Sequence, residues 1–256
     1  MIKRQIFYGF FASLMLFSCA PKQYQLMGVE RTRIIVDSRY DLNPDEASVK
    51  LLEPYKRVND SIMGPIVGVV DHNMYADRPE SDLSNLLADI LVWSAKDYGE
   101  QPVLGIYNMG GIRAALTKGN VTYGDVLDVA PFENKICFIT LTGEKMLELF
   151  RQIAHRGGEG VSHGIELVVS KDGKLLSSKL HGKEIDPKAE YRIATINYLI
   201  EGNDGMPALK EGTNVIAPND VSNNTRFLIM NYFKDHQARG VVVDSKVEGR
   251  IKIDNR

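Results

Sequence analysis

Helical periodicity dominates the first half of this 256-residue chain and hairpin signals the second, with no regular strand–helix–strand alternation. That order argues for one α+β domain: a mixed β-sheet with packed helices. Asn43-Pro44-Asp45-Glu46 reads as a helix start, with a capping amide, a proline in the first turn and acids near the positive helix end. Leu51, Leu52, Tyr55, Val58 and Ile62 continue it as an apolar stripe. Ser81-Asp82 opens a second helix with Leu83, Leu86, Leu87, Ile90 and Leu91 on one face, and Thr142 caps a third with Met146, Leu149, Phe150 and Ile153. A last helix is expected over 225–233. Strands are expected over 33–36, 66–70, 103–107, 135–141, 165–169, 175–180, 191–197 and 247–253, with a short helical piece over 125–129 after Val121-Thr122-Tyr123, and Lys171-Asp172-Gly173 marks a hairpin. The composition, 44% hydrophobic and 25% charged, is that of an ordinary globular protein. A net charge of −2 provides no basic field that would draw the whole chain to nucleic acid.

The first residues read as targeting rather than fold. Lys3 and Arg4 precede an apolar run from Ile6 to Phe17, which is short for a membrane span. Leu16-Phe17-Ser18-Cys19 resembles a bacterial lipoprotein cleavage box. The expected organisation is therefore a signal peptide at 1–18, a lipidated Cys19 opening a tether at 19–31, and one domain over 32–256. This places the protein at the bacterial cell envelope, lipid-anchored and facing the periplasm. The plain alternative is an ordinary secretory signal with an incidental cysteine. The second cysteine, Cys137, lies in a strand-like run and reads as a buried, inert thiol.

The chemistry concentrates at strand ends. Asn108-Met109-Gly110-Gly111-Ile112-Arg113 follows the strand at 103–107. Its two glycines allow close backbone approach or φ > 0, and its arginine offers a planar fork of donors to phosphate or carboxylate. Phe132, beside Pro131, could stack on a base. Later, Tyr198 ends a strand and Gly202-Asn203-Asp204-Gly205 turns after it. Asp204 could accept hydrogen bonds from two vicinal hydroxyls, or simply form the turn. Two strand-end aromatics, one near an arginine and one near an aspartate, would clamp a nucleoside. Read one at a time, the Gly-Gly turn, the arginine and the rim aromatics are all common structural features.

Asn108 to Arg113, Tyr123-Gly124-Asp125-Val126, Pro131-Phe132, Leu141-Thr142-Gly143, Asp186-Pro187, Tyr191 to Thr195, Gly202 to Gly205 and Glu248-Gly249-Arg250-Ile251 form an ordered set. In order and spacing they resemble the C-terminal, substrate-recognition domain of the 5′-nucleotidase/UDP-sugar hydrolase family, from about Ile66 to Ile253. The resemblance implies that family's α+β fold and a base held between Phe132 and Tyr198. It implies Asp204 on the ribose, Arg113 on the phosphate, Asn108, Gly110 and Gly111 in the substrate loop, and Asn134 at the base. Departures are Tyr198 where phenylalanine is frequent, Gly202-Asn203 where Gly-Gly is frequent, and Arg78 near but not in register with an upstream arginine of the Glu80…Asn85 helix start.

In that family the hydrolysis belongs to a separate two-metal domain. Its Asp-x-His and Gly-Asn-His motifs do not occur here; Asp71-His72 are adjacent, and His155, His163, His181 and His236 show no ligand spacing. No metal site is therefore expected in this chain, and the divalent metals would belong to a partner. The resemblance implies the substrate-binding part of a split nucleotidase, inactive alone, with a metallophosphoesterase chain as partner and a nucleoside or nucleotide as ligand. The alternatives are a non-catalytic binding lipoprotein or an interaction module.

Overall fold

The computed structural model describes residues 24–254, so the signal peptide and Cys19 lie outside the described residues. The chain divides into two units between Leu51 and Leu52. In the first unit the described residues are exposed wherever their burial is defined. The run Arg33–Val36, expected as a strand, belongs to no strand. Its β-branched residues suit a strand, but no other described strand pairs with it, so no ladder forms. Residues 32–51, expected to open the domain, lie in this first unit.

Helix α1 spans Glu46–Met63. Asp45 rather than Asn43 caps it, its Oδ2 accepting from Ser48 N at 2.8 Å, so Pro44 precedes the cap instead of occupying the first turn. The apolar stripe runs as the periodicity predicts, yet Leu51, Leu52, Tyr55, Val58 and Ile62 are all exposed.

The second unit is the α+β domain. Its elements in order are β1 (Ile66–Val70), α2 (Asp82–Ser94), β2 (Leu104–Tyr107), β3 (Gly119–Thr122), α3 (Tyr123–Val129), β4 (Ile136–Thr142) and α4 (Gly143–His155). Then come β5 (Gly160–Val161), β6 (Ile165–Ser170), β7 (Leu175–Leu180), β8 (Lys183–Glu184), β9 (Glu190–Ile196) and α5 (Asn197–Ile200). The last are β10 (Thr213–Ile216), α6 (Thr225–Ala238) and β11 (Ile251–Asp254). The central sheet has the order β10-β4-β9-β2-β5. In it β2 and β9 run parallel while the other neighbours are antiparallel, so the sheet is mixed as expected. A four-stranded sheet β11-β6-β7-β8 and the pair β1-β3 complete the strands.

The helices cover the sheets with the faces read from their periodicity. Leu83, Leu86, Leu87, Ile90 and Leu91 of α2 and Met146, Leu149, Phe150 and Ile153 of α4 are buried. Ser81 caps α2 in a reciprocal box with Ser84, and Thr142 caps α4. Gly105 of β2 admits α2 closely, since a Cβ there would collide with the Ala88 carbonyl. Gly143 serves the same purpose against the Asp186-Pro187 turn, whose chain accepts Glu144 N through the Pro187 carbonyl. Cys137 is buried, and burial pushes its thiol up to about 12.

The last strand is shorter than predicted. Three amides of this segment go to a side chain: Glu80 accepts from Glu248 N (2.8 Å), Gly249 N and Ile251 N (both 3.2 Å). Asn85 also donates to Glu80 (2.7 Å) and to the Lys246 carbonyl (2.9 Å). Arg250 is buried in a two-point pair with Asp89 and donates to the Val161 carbonyl. The Glu80…Asn85 and Glu-Gly-Arg-Ile motifs thus form one clasp, fixing the C-terminal segment to α2.

Candidate functional site

Strand β2 delivers Asn108 at its end, and Met109–Gly111 follow as a single helical turn closed by Gly111 N on the Asn108 carbonyl at 3.0 Å. The two glycines do not adopt positive φ. Proximity requires the second: a Cβ on Gly111 would stand 2.6 Å from Asn108 Oδ1, whereas one on Gly110 would meet Asp204 Oδ2 at an ordinary 3.6 Å. The loop after α3 brings Phe132 and Asn134; Thr225 N donates to the Asn134 carbonyl and Arg226 to that of Pro131. The chain then turns at the end of β9 to bring Tyr198 and Asp204.

Seven of the eight residues expected to bind substrate line one open cleft of about 190 Å³: Asn108, Gly110, Gly111, Phe132, Asn134, Tyr198 and Asp204. Phe132 and Tyr198 leave 48% and 37% of their surface open, so both faces of the cleft offer ring area to a ligand. Arg113 is the eighth. It lines a separate shallow groove with Tyr75, Asp77 and Ile112, is exposed, and reaches only the Gly110 carbonyl at 3.5 Å.

The polar centre of the cleft is Asp204. Asn108 Nδ2 donates to its Oδ2 at 2.6 Å and the Tyr198 hydroxyl to its Oδ1 at 3.2 Å. Asp204 sits at φ 53, a left-handed conformation that aspartate tolerates better than most residues, between Gly202 and Gly205, also at positive φ. Burial and the neighbouring Asp204 carboxylate push the Tyr198 hydroxyl up, so it remains a donor at neutral pH. Asn108 is itself buried, and its Oδ1 has no protein partner.

Three supporting residues carry no clear signal in the sequence. Asn197 accepts from Lys135 N through its side chain and donates its own N–H to the Lys135 carbonyl, both at 2.9 Å. It thereby ties the Asn134 loop to the Tyr198 turn. Glu159 is fully buried and accepts from Met109 N (2.5 Å), Arg78 Nη2 (2.5 Å) and Arg156 Nε (2.6 Å). Arg156 reaches within 4.0 Å of Asp204. Arg78, out of register in the sequence, is committed to Glu159 and to the Gly158 carbonyl at 2.9 Å. A lone acid inside Gly157-Gly158-Glu159-Gly160 is the one hint of this cluster that the sequence offers.

Known proteins share this fold. The family model described as 5′-nucleotidase, C-terminal domain, matches residues 66–211. Protein UshA of Escherichia coli K12 is 26% identical over 172 residues, covering 66% of this chain and 31% of UshA. The trifunctional nucleotide phosphoesterase protein YfkN of Bacillus subtilis is 27% identical over 237 residues, covering 85% of this chain and 16% of YfkN. The chain therefore spans a third or less of these relatives' length. The crystal structure of a 5′-nucleotidase precursor from Thermus thermophilus superposes with TM-score 0.70 at 25% identity, over 83% of this chain and 44% of that one. The NAD nucleotidase NadN of Haemophilus influenzae shares the fold at TM-score 0.60 and 21% identity, over 82% of this chain and 41% of its own.

Proposed function

The chain belongs to the 5′-nucleotidase C-terminal domain family, and on that premise we propose that its cleft binds a nucleoside or nucleotide for a phosphoester hydrolysis performed by a separate metallophosphoesterase chain. The observation that carries the reading is the lining of one cleft by two open aromatics and the Asn108–Asp204 pair. In this reading the base stacks between Phe132 and Tyr198, with Asn134 at its edge. Asp204, oriented by Asn108 and Tyr198, accepts the two ribose hydroxyls. Arg113, exposed beside Gly110 with one long contact, meets the anionic end of the ligand from outside the cleft. The divalent ions and the activated water belong to the partner. Among the described residues no helix is long and apolar enough to cross a membrane. Attachment at the cell envelope would run through lipid on Cys19.

Calorimetry of the purified chain with adenosine, AMP and a UDP-sugar tests the ligand class. Saturable heat is expected, and Phe132→Ala or Tyr198→Ala should each weaken binding by about 1–3 kcal/mol. No heat with any of the three, or unchanged affinity in both variants, refutes the clamp. The chain alone, supplied with Mn²⁺, Zn²⁺ or Co²⁺, should hydrolyse no nucleotide, and turnover should appear only with an added metallophosphoesterase. Stoichiometric turnover by the clean chain would overturn the split.

A further inference from the structure

We propose that Asp71, His72 and Asp244 form a binding site for one divalent transition-metal ion, distinct from the nucleotide cleft. Adjacent Asp71 and His72 lack ligand spacing in the sequence; the fold supplies the third donor from the far end of the chain. Val70 pairs with Val243 as a parallel bridge, with Asp71 N donating to the Val243 carbonyl (3.1 Å) and Val243 N to that of Val69 (2.9 Å). The residues just beyond this pairing on both segments therefore emerge side by side. One donor atom from each of Asp71, His72 and Asp244 lies within 4.8 Å of the other two. Asp71 and Asp244 are exposed and His72 is half-buried, so rotamer changes can bring the donors onto one ion.

The imidazole is already oriented for ligation. Its Nδ1 faces Asp244 Oδ1 at 3.4 Å, while Nε2 meets Asp82 Oδ2 at 3.3 Å. Asp82 is itself fixed, because its Oδ1 accepts from Tyr75 N (2.8 Å) and Leu83 N (2.7 Å). An outer carboxylate that accepts a hydrogen bond from Nε2–H leaves the Nδ1 lone pair for a metal, the usual outer-shell arrangement of metal-binding histidines. One nitrogen and two carboxylate oxygens suit Zn²⁺ or Co²⁺ and leave a coordination position open. Three carboxylates surround His72, and Lys246, paired to Asp244 Oδ2 at 2.8 Å, is the lysine set against them. A divalent ion would balance the charge and tie the end of β1 to the segment entering the C-terminal clasp. The other histidines have different partners or surroundings: His163 bonds Glu248, His181 packs over Gly164, His236 bonds the Tyr232 carbonyl and His155 is exposed.

The test is Zn²⁺ titration of the EDTA-treated, desalted full chain by calorimetry, with Co²⁺ absorption as a second signal. One ion per chain is expected, together with a Zn²⁺-dependent rise in Tm. His72→Ala and Asp71→Asn should each weaken binding at least tenfold and remove the Tm rise, and His163→Ala should change neither. Lys246→Ala should tighten binding, because it frees Asp244 from its ammonium partner. Absence of saturable Zn²⁺ binding overturns the site. So does wild-type affinity in both His72→Ala and Asp71→Asn, or weaker binding in Lys246→Ala.

Discussion

Glu80 and Glu159 are both buried carboxylates that gather donors from distant parts of the chain, yet they are satisfied differently. Glu80 takes one side-chain amide and three backbone N–H groups, all neutral, and the elements it joins are the start of α2 and the C-terminal segment. Glu159 takes two arginines and the first amide of the Met109–Gly111 turn, which carries Gly110 and Gly111 into the cleft. Neutral donors hold a carboxylate without leaving charge behind when the geometry relaxes. Arginines hold it more strongly but point their remaining donors outward. Arg156 does so, ending within 4.0 Å of Asp204. The first cluster is a clasp; the second is a clasp whose outer face is the site.

The contrast between the two clusters predicts a separation of stability from binding. The largest effect belongs to the clasp. Arg250→Ala removes a buried cation that holds Asp89 at two points and the Val161 carbonyl. Breaking a buried pair costs about 3–5 kcal/mol, and because Asp89 is partly open to water the expected loss is about 2–4 kcal/mol. Denaturant midpoints should fall accordingly, while the folded fraction binds nucleotide with unchanged affinity. A large drop in affinity would show that the clasp also shapes the cleft, and the distinction between the clusters would collapse.

Glu159→Gln is the counterpart. The amide keeps an acceptor for Met109 N but removes the charge that pairs Arg78 and Arg156. Both arginines are partly exposed and can turn to water, so stability should fall by only about 1–2 kcal/mol. Binding should fall as well, roughly tenfold, because Arg156 loses its anchor beside Asp204. Calorimetry beside a urea melt reads the two quantities on one sample. A variant that loses stability and keeps full affinity would make Glu159 a second purely structural clasp.

Much of this is legible in the sequence, and the failures share a cause. Periodicity marks α2 and α4 and their buried faces, because a stripe at helical spacing has one low-energy disposition once a sheet covers it. The same signal marks α1, whose stripe is exposed: period reports a helix and a face, never what covers the face. Strand composition over Arg33–Val36 misleads for the same reason, since a ladder needs a neighbour. Five cleft residues are legible because each follows a strand or sits in a glycine turn; Phe132 is legible as a loop aromatic beside a proline, and Asn134 only through the family resemblance. Glu159, Arg156 and Asn197 are not, because their roles consist of contacts to Met109, Arg78, Asp204 and Lys135, which only the fold brings near. An arginine after two glycines matches an anion turn and so points to the cleft; the chain instead carries Arg113 past the turn into the next groove.

Asp204→Gly offers the finest division between the two kinds of residue. At φ 53 the aspartate is held in a conformation glycine adopts freely, and its carboxylate accepts from Asn108 and Tyr198. Substitution relieves backbone strain of about 1 kcal/mol but loosens the unfolded chain and leaves the Asn108 amide without its acceptor. These terms oppose each other, so stability should move by less than about 1 kcal/mol. Binding of a nucleoside should weaken by about 1–3 kcal/mol, because the ribose hydroxyls lose a charged acceptor. Asn214, at φ 49 on the edge strand β10, is the control: Asn214→Gly shares the backbone relief and touches no cleft residue. If both variants bind alike, Asp204 is kept for its turn and the hydroxyl contact is wrong. If only Asp204→Gly loses affinity, the strained turn exists to hold the carboxylate.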